Sequence, residues 1–280
     1  RLYWMTKTNI NTQQAVDFIA RRLNIQKKFI GYAGTKDKNA VTTQLISIKC
    51  NKNPRKIKNI YLKLFGNYDK ALALGNLEGN KFKITIRNLN HEIDTSKSKF
   101  INYFGEQRFS KNNVEIGKLI LQNNYKKAIN LIIENEGFYE KKIKLFLEKN
   151  ENNYIGALKL IDKNILKFYI HAYQSNLWNE CAKNGFEDIP LVGFGTNIPS
   201  DMEDFIKEKL SEDNLTLRSF IVKSIPFLSS EGGIREKYFE TNITTISFQE
   251  DDLNEDKFKQ EVTFTLPKGS YATEVIKQLF

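Results

Sequence analysis

The sequence predicts a mixed α+β fold, and three observations carry that reading. The N-terminal third contains β-branched and alternating runs, residues 112–164 show helical apolar spacing, and the C-terminus reads as strand, turn and helix. A length of 280 residues suits one or two domains and permits a sizeable core. No apolar run approaches membrane-spanning length and no signal peptide is visible, while two cysteines far apart in the sequence lead to the expectation of a reducing cytoplasm.

Asn11 or Thr12 can cap a first helix whose apolar stripe is Ala15, Phe18, Ile19 and Leu23. Phe29-Ile30 reads as the end of a buried strand, and Val41–Ile48, rich in β-branched residues, as another. Pro54–Lys58 reads as a basic turn or short helix. A strand pair is expected next, Lys70–Gly75 and Phe82–Asn88, around a turn at Asn76–Asn80. In its second strand Phe82, Ile84 and Ile86 alternate with Lys83, Thr85 and Arg87, giving one apolar and one basic face. Asp94 or Thr95 is expected to start a helix running to about Tyr103.

The middle of the chain is helical in pattern. Val114, Ile116, Leu119 and Ile120 form one stripe and Ala128, Leu131 and Ile132 another, with Ile143, Phe146 and Leu147 beyond. Gly117, Gly137 and Gly156 interrupt or separate these runs, and the charged faces read as solvated. A longer helix is expected from about Ile165 to Lys183, closed by Gly185. It carries Gln174, Ser175 and Asn179 among Tyr173, Leu177 and Trp178. Buried, such polar groups need partners and can brace a loop.

After Gly185 the composition changes, and the following region reads as a small insertion. Short helices are expected over Asp201–Leu210 and Glu212–Ser219, loops at Pro226 and at Gly232-Gly233 with Arg235, and β pattern over Thr241–Phe248. Val262–Leu266 then reads as a strand, Pro267–Thr273 as a turn, and Val275, Ile276 and Leu279 as a helix face. Gly269 and the amides after it can cradle a phosphate, although a purely structural strand–turn–helix has the same pattern.

Chemistry concentrates in two stretches. Residues 31–40, Gly-Tyr-Ala-Gly-Thr-Lys-Asp-Lys-Asn-Ala, form a loop between two strands. Glycine permits sharp turns and close backbone approach. Lys36 and Lys38 flank Asp37, and neighbouring ammonium groups favour the charged carboxylate. Such a carboxylate can act as a nucleophile, while a solvated charged turn has the same composition. The loop is not a phosphate loop, because Asp37 stands where a metal-binding hydroxyl should be. It is not a dinucleotide fingerprint, because a strand follows it. In the second stretch, Asn102–Ser110, Tyr103, Phe104 and Phe109 surround Gly105, with Asn102, Glu106, Gln107 and Arg108 among them. Aromatic faces stack on bases, amides read base edges, and arginine holds phosphate. An aromatic core plug with Glu106 paired to Arg108 is the other reading.

The net charge of +10 and a pI near 9.3 point to a polyanionic partner such as nucleic acid. Cys50 and Cys181 are far apart and lack metal spacing, so neither a disulfide framework nor a zinc site is expected. His91 and His171 are the only histidines, and His171 reads as a helix residue.

Taken together, five motifs resemble the TruD family of tRNA pseudouridine synthases. They are Gly31 through Gln44, Gly79-Asn80-x-Phe82, Asn102 through Phe109, Ala172 through Asn179, and Leu266 through Thr273. They come in the family's order and span nearly the whole chain, and the helical stretch after Phe109 looks like the archaeal and eukaryotic branch. The resemblance implies a pseudouridine-synthase catalytic domain on a bisected, mainly antiparallel sheet. That domain would comprise residues 1–184 and 246–280, with the helical segment 112–164, and residues 185–245 would be an inserted TRUD domain. The implied reaction is isomerisation of uridine to pseudouridine in tRNA, typically at position 13, without cofactor or metal. Other RNAs are not excluded as partners, a membrane is not implied, and the oligomeric state is left open.

Asp37 falls on the family's catalytic aspartate, Phe104 on an aromatic that stacks on the target base, and Asn102 on an active-site amide. Lys36, Gln107, Arg108 and Tyr271 are the remaining substrate-binding candidates. There are two departures. Family members begin with a segment bearing the lysine that partners the catalytic aspartate, and none precedes Arg1, so the chain is expected to begin inside a longer protein. Lys36 or Lys38 is the substitute the sequence offers. Lys277 also stands where arginine is common, which would lose a bidentate contact. A noncatalytic RNA-binding or RNA-chaperone protein of the same fold is the alternative.

Overall fold

The computed structural model describes residues 1–52, 54, 57–110, 112–134 and 138–280. The chain divides into two compact units, Arg1–Asn80 and Lys81–Phe280.

The first unit contains β1 (Leu2–Thr8), α1 (Thr12–Leu23), β2 (Ile30–Tyr32), β3 (Val41–Ile48) and β4 (Ile60–Gly66). The sheet order is β2-β3-β1-β4 and every pair is antiparallel. Alternation along β1 turns Tyr3, Met5 and Lys7 inward. Helix α1 covers that face with Ala15, Val16, Ile19, Ala20 and Leu23, packed with Met5, Ile46 and Ile48. Burying a side chain such as Ile19, fully enclosed here, is worth roughly 1.5–3 kcal/mol. Phe18, expected on this stripe, is 43% exposed, and Val16 takes its place. The Asn11 side chain caps the helix by accepting from the Gln14 N–H at 2.7 Å, and Asn24 closes it in the left-handed region with φ 54°.

One expectation fails here: Lys70–Gly75 is not a strand. Strands β1 and β4 are additions to the sequence reading. Strand β4 has Leu64 and Phe65 exposed, so its sequence lacks the clean alternation that marks a half-buried strand. The Lys70–Gly75 stretch instead lies along β2 and β3. Leu72 N–H donates to Ser47 Oγ at 2.9 Å and Gly75 N–H to the Ala33 carbonyl at 2.8 Å. Arg55 and Lys56 of the expected Pro54–Lys58 turn lie outside the described residues.

Strand β5 (Gly79–Leu89) contains the division between the units. The second unit continues with β6 (Lys99–Ile101), α2 (Asn113–Leu121), α3 (Tyr125–Ile133), α4 (Phe138–Lys149), α5 (Tyr154–Leu158) and α6 (Lys163–Lys183). Then come β7 (Pro190–Leu191), α7 (Glu203–Glu212), β8 (Gly233–Ile234), β9 (Tyr238–Glu240), β10 (Thr244–Glu250), β11 (Phe258–Pro267) and α8 (Ala272–Lys277). One sheet has the order β10-β11-β5, and β6 pairs with β9 and β7 with β8, both antiparallel. Gly137, expected to separate two helices, lies outside the described residues.

From Ala172 onward α6 is enclosed on nearly every side, polar residues included. Tyr173, Leu177, Trp178 and Cys181 share one core with Ile116 and Ile120 of α2, and with Met202, Ile206, Phe220 and Ile225. The helix expected from Asp94 to Tyr103 does not form. Asp94 instead bonds Ser96 N–H at 2.8 Å in a local turn, and β6 joins β9 with Phe100 opposite Phe239. Cross-strand pairing of these aromatics outweighs the local helix signal. Among the described residues no helix is long and apolar enough to cross a membrane.

Candidate active-site elements

In the first unit, the Asp37 loop joins β2 to β3 and presents Asp37 and Lys38 as exposed residues. Its backbone is held from below. Thr12, the first residue of α1, accepts from the Lys36 N–H at 2.8 Å and donates to the Lys36 carbonyl at 3.4 Å. Lys7, fully buried on β1, donates from Nζ to the Asp37 carbonyl at 2.6 Å. Burial lowers the Lys7 pKa, Asp37 pulls it back up, and Lys36 lowers it further. Burial likewise lowers Lys36 against the pull of Asp37, and its ammonium donates to Asn80 Oδ1. Gly31 is required at its position, because a Cβ there would sit 2.2 Å from the Leu72 carbonyl oxygen. The stretch that failed as a strand therefore braces the root of this loop.

In the second unit, Asn102, Phe104, Arg108 and Tyr271 come together around one aromatic ring. Asn179 of α6 clamps the Phe104 backbone: its Oδ1 accepts the Phe104 N–H and its Nδ2 donates to the Phe104 carbonyl, both at 2.9 Å. The ring meets Trp178 edge-on at 5.7 Å and Tyr271 at 6.4 Å. Gly105 lets Tyr271 approach, since a Cβ there would lie 2.6 Å from Tyr271 Cδ1. Phe104 is only 7% exposed, and the Arg235 guanidinium lies over its face at 3.8 Å. Arg235 donates from Nε to the Asn102 carbonyl at 2.8 Å and from Nη2 to Asn102 Oδ1 at 2.7 Å. Ser270 Oγ shares that oxygen at 2.9 Å, and Asn102 Nδ2 donates to the Glu236 carbonyl at 3.2 Å. Both the oxygen and the nitrogen of the Asn102 amide are thus engaged.

Glu106 pairs not with Arg108 but with Lys277, at 2.6 Å. That hydrogen bond holds the Glu106 carboxyl below its usual range. Lys277 also reaches Glu274 at 3.2 Å. Arg108 instead donates from Nε to Ser175 Oγ at 3.3 Å and stacks on Phe168 at 4.8 Å. Gln107 is exposed. The polar set on α6 braces its surroundings as anticipated. Besides the Asn179 clamp, Gln174 donates to the Val192 carbonyl at 2.7 Å and Trp178 to the Ile189 carbonyl at 3.0 Å.

Sequence reasoning missed Lys7, Thr12 and Arg235. The inward alternation Tyr3, Met5, Lys7 is a signal that could have found the first, whereas a lone arginine beside two glycines carries none. Among the described residues no cluster of His, Cys, Asp and Glu is placed to hold a metal ion.

The family model for tRNA pseudouridine synthase D (TruD) matches residues 1–144, 133–189 and 182–279 of this chain. The chain belongs to the TruD family. As a TruD protein it is an isomerase that converts uridine to pseudouridine in tRNA. It is 31% identical to a Methanocaldococcus jannaschii protein named Probable tRNA pseudouridine synthase D 2, covering 100% of this chain and 85% of that one. It is 27% identical to the tRNA pseudouridine synthase D of Aquifex aeolicus, covering 99% and 91%. The crystal structure of the putative TruD from Methanosarcina mazei superposes with a TM-score of 0.73 at 26% identity, covering 99% of this chain and 87% of that one. All five TruD motifs read from the sequence fall within the matched residues.

Proposed function

We propose that this chain isomerises a flipped-out uridine, that of tRNA position 13, with Asp37 as the catalytic carboxylate. The supporting observation is the exposed Asp37 on a loop whose backbone is pinned by Lys7 and Thr12. A pinned backbone limits where the carboxylate can reach, as nucleophilic attack or stabilisation of glycosidic cleavage requires. The uracil, once detached, turns and reattaches through carbon 5. Lys7 then stands as the buried cation beneath Asp37, a place for which the sequence offered Lys36 or Lys38.

The target base must leave its stack at a cost of a few kcal/mol. Stacking on Phe104 returns roughly 1–3 kcal/mol. The base would replace the Arg235 guanidinium on that ring, a contact worth roughly 0.5–2 kcal/mol, so the exchange is energetically open. Asn102, Arg108 and Tyr271 support this ring, and Lys36 and Gln107 complete the proposed substrate contacts. Residues 185–245 are read as the inserted TRUD domain and the protein as cytoplasmic.

Tritium release from tRNA transcripts labelled at uridine carbon 5 tests the assignment. The protein should release tritium, while Asp37→Asn, which keeps the size and removes the charge, should bind tRNA and turn over at least about a hundredfold more slowly. Equal release by the two would overturn the role of Asp37.

A further inference from the structure

Two guanidiniums converge on Phe104 without an anion. Arg235 lies 3.8 Å and Arg108 5.6 Å from the same ring centroid. Several other cations of this unit have carboxylates, among them Arg87 with Asp251 and Asp252, Lys237 with Glu187, and Lys277 with Glu106. Among the described residues no carboxylate pairs with Arg108 or Arg235. Their acceptors are Ser175 Oγ for the first, and Asn102, the Tyr103 carbonyl at 3.5 Å and the Gly269 carbonyl at 3.2 Å for the second. Those bonds use Nε of Arg108, and Nε and Nη2 of Arg235. Both terminal nitrogens of Arg108 and Nη1 of Arg235 donate to nothing among the described residues. Guanidinium donors that meet no protein acceptor are free to take the oxygens of an anion, and partial burial strengthens such a charge-assisted bond. Burial lowers the pKa of both groups, Arg235 to about 10, and their mutual repulsion adds to the effect on Arg235.

Arg235 Nη1 lies beside a solvent-facing turn. A Cβ built on Gly269 would lie 3.9 Å from Arg235 Nη1, and the turn carrying Gly269 and Lys268 is exposed. We infer that Arg108 and Arg235 form an anion site that grips a phosphodiester of the RNA backbone. This rests on the reading of the chain as a synthase acting on tRNA. The forked, planar donor set suits phosphate oxygens better than a lysine would. It also gives the Arg235 guanidinium a destination when a base takes its place on Phe104.

The test is tRNA binding by fluorescence anisotropy across a salt series, for the protein and its Arg235→Gln and Arg108→Gln variants. Transcripts carry one neutral methylphosphonate at a time near the target uridine. Each variant should bind about tenfold more weakly and lower the slope of log K against log salt by about one. One methylphosphonate should weaken the unaltered protein similarly and leave Arg235→Gln insensitive. Arg108→Gln loses one side-chain hydrogen bond and its ring contacts, fewer bonds than Arg235→Gln loses, so it remains informative should Arg235→Gln fold poorly. Unchanged affinity and slope in folded variants would overturn the inference. So would occupancy of the pair by inorganic phosphate at matched ionic strength, with every methylphosphonate transcript bound like unmodified RNA. Tritium release by the unaltered protein is measured alongside. If release is normal while the binding arms fail, only the phosphate site falls; no release would overturn the synthase reading and this inference together.

Discussion

Lys7 shows what one buried side chain can decide. It is enclosed, it touches the backbone of Asp37 rather than its carboxylate, and its charge is opposed by burial. Lys7→Met fills the same space without the ammonium. The variant should keep or gain thermal stability, because an isolated buried charge costs more than an apolar side chain of similar volume. It should nevertheless lose about tenfold or more in kcat with little change in KM, because the Asp37 loop loses its anchor. Single-turnover kinetics beside a thermal melt separate the two effects. A kcat equal to that of the unaltered protein would show that Thr12 alone holds the loop.

At the scale of elements, α6 is the scaffold of the second unit. Its buried amides and hydroxyls replace the ladder partners that the irregular 102–109 stretch lacks. Asn179 does the most, satisfying both the N–H and the C=O of Phe104. Asn179→Leu would orphan both groups, at roughly 1–3 kcal/mol each. The expected result in urea unfolding is a lower midpoint, together with faster hydrogen exchange at the Phe104 amide. An unchanged exchange rate would place the support elsewhere. The reading of α6 as a brace was available from Gln174, Ser175 and Asn179 standing among large apolar residues. The partners were not, because they come from residues 75 and 18 positions away in the chain.

At the scale of the whole molecule, the join between β10-β11 and β5 is one place where folding holds a carboxyl below its ordinary range. Burial works against ionisation of Asp251, yet N–H donors of Asn88 and Leu253, the Asn254 amide and Arg87 hold its pKa down to about 2. The folded pKa lies below the ordinary aspartate value of 3.8, so the folded state binds fewer protons. Its contribution is complete above that value and is lost as pH falls through about 2. Asp251→Asn should therefore be less stable at neutral pH and show a shallower loss of stability between about pH 4 and pH 2 in circular-dichroism titrations. A parallel pH profile would mean that the neighbouring Asp252 carries the effect.

The sequence by itself determined the family, the α+β class, the helices from Asn113 to Lys183 and the closing strand–turn–helix. Those rest on motifs in order and on local periodicity, which survive without knowledge of the fold. It also drew attention to Asp37 between its lysines and to the aromatics around Gly105, while the choice of Phe104 among those aromatics came from the resemblance to the TruD family. Only the tertiary structure decided that Lys70–Gly75 braces a loop instead of forming a strand, that Phe100 belongs to β6, and that Glu106 meets Lys277. The same holds for Lys7 under Asp37 and Arg235 over Phe104. Each depends on an acceptor or a ring supplied from a distant part of the chain, and long-range partners leave no trace in local spacing.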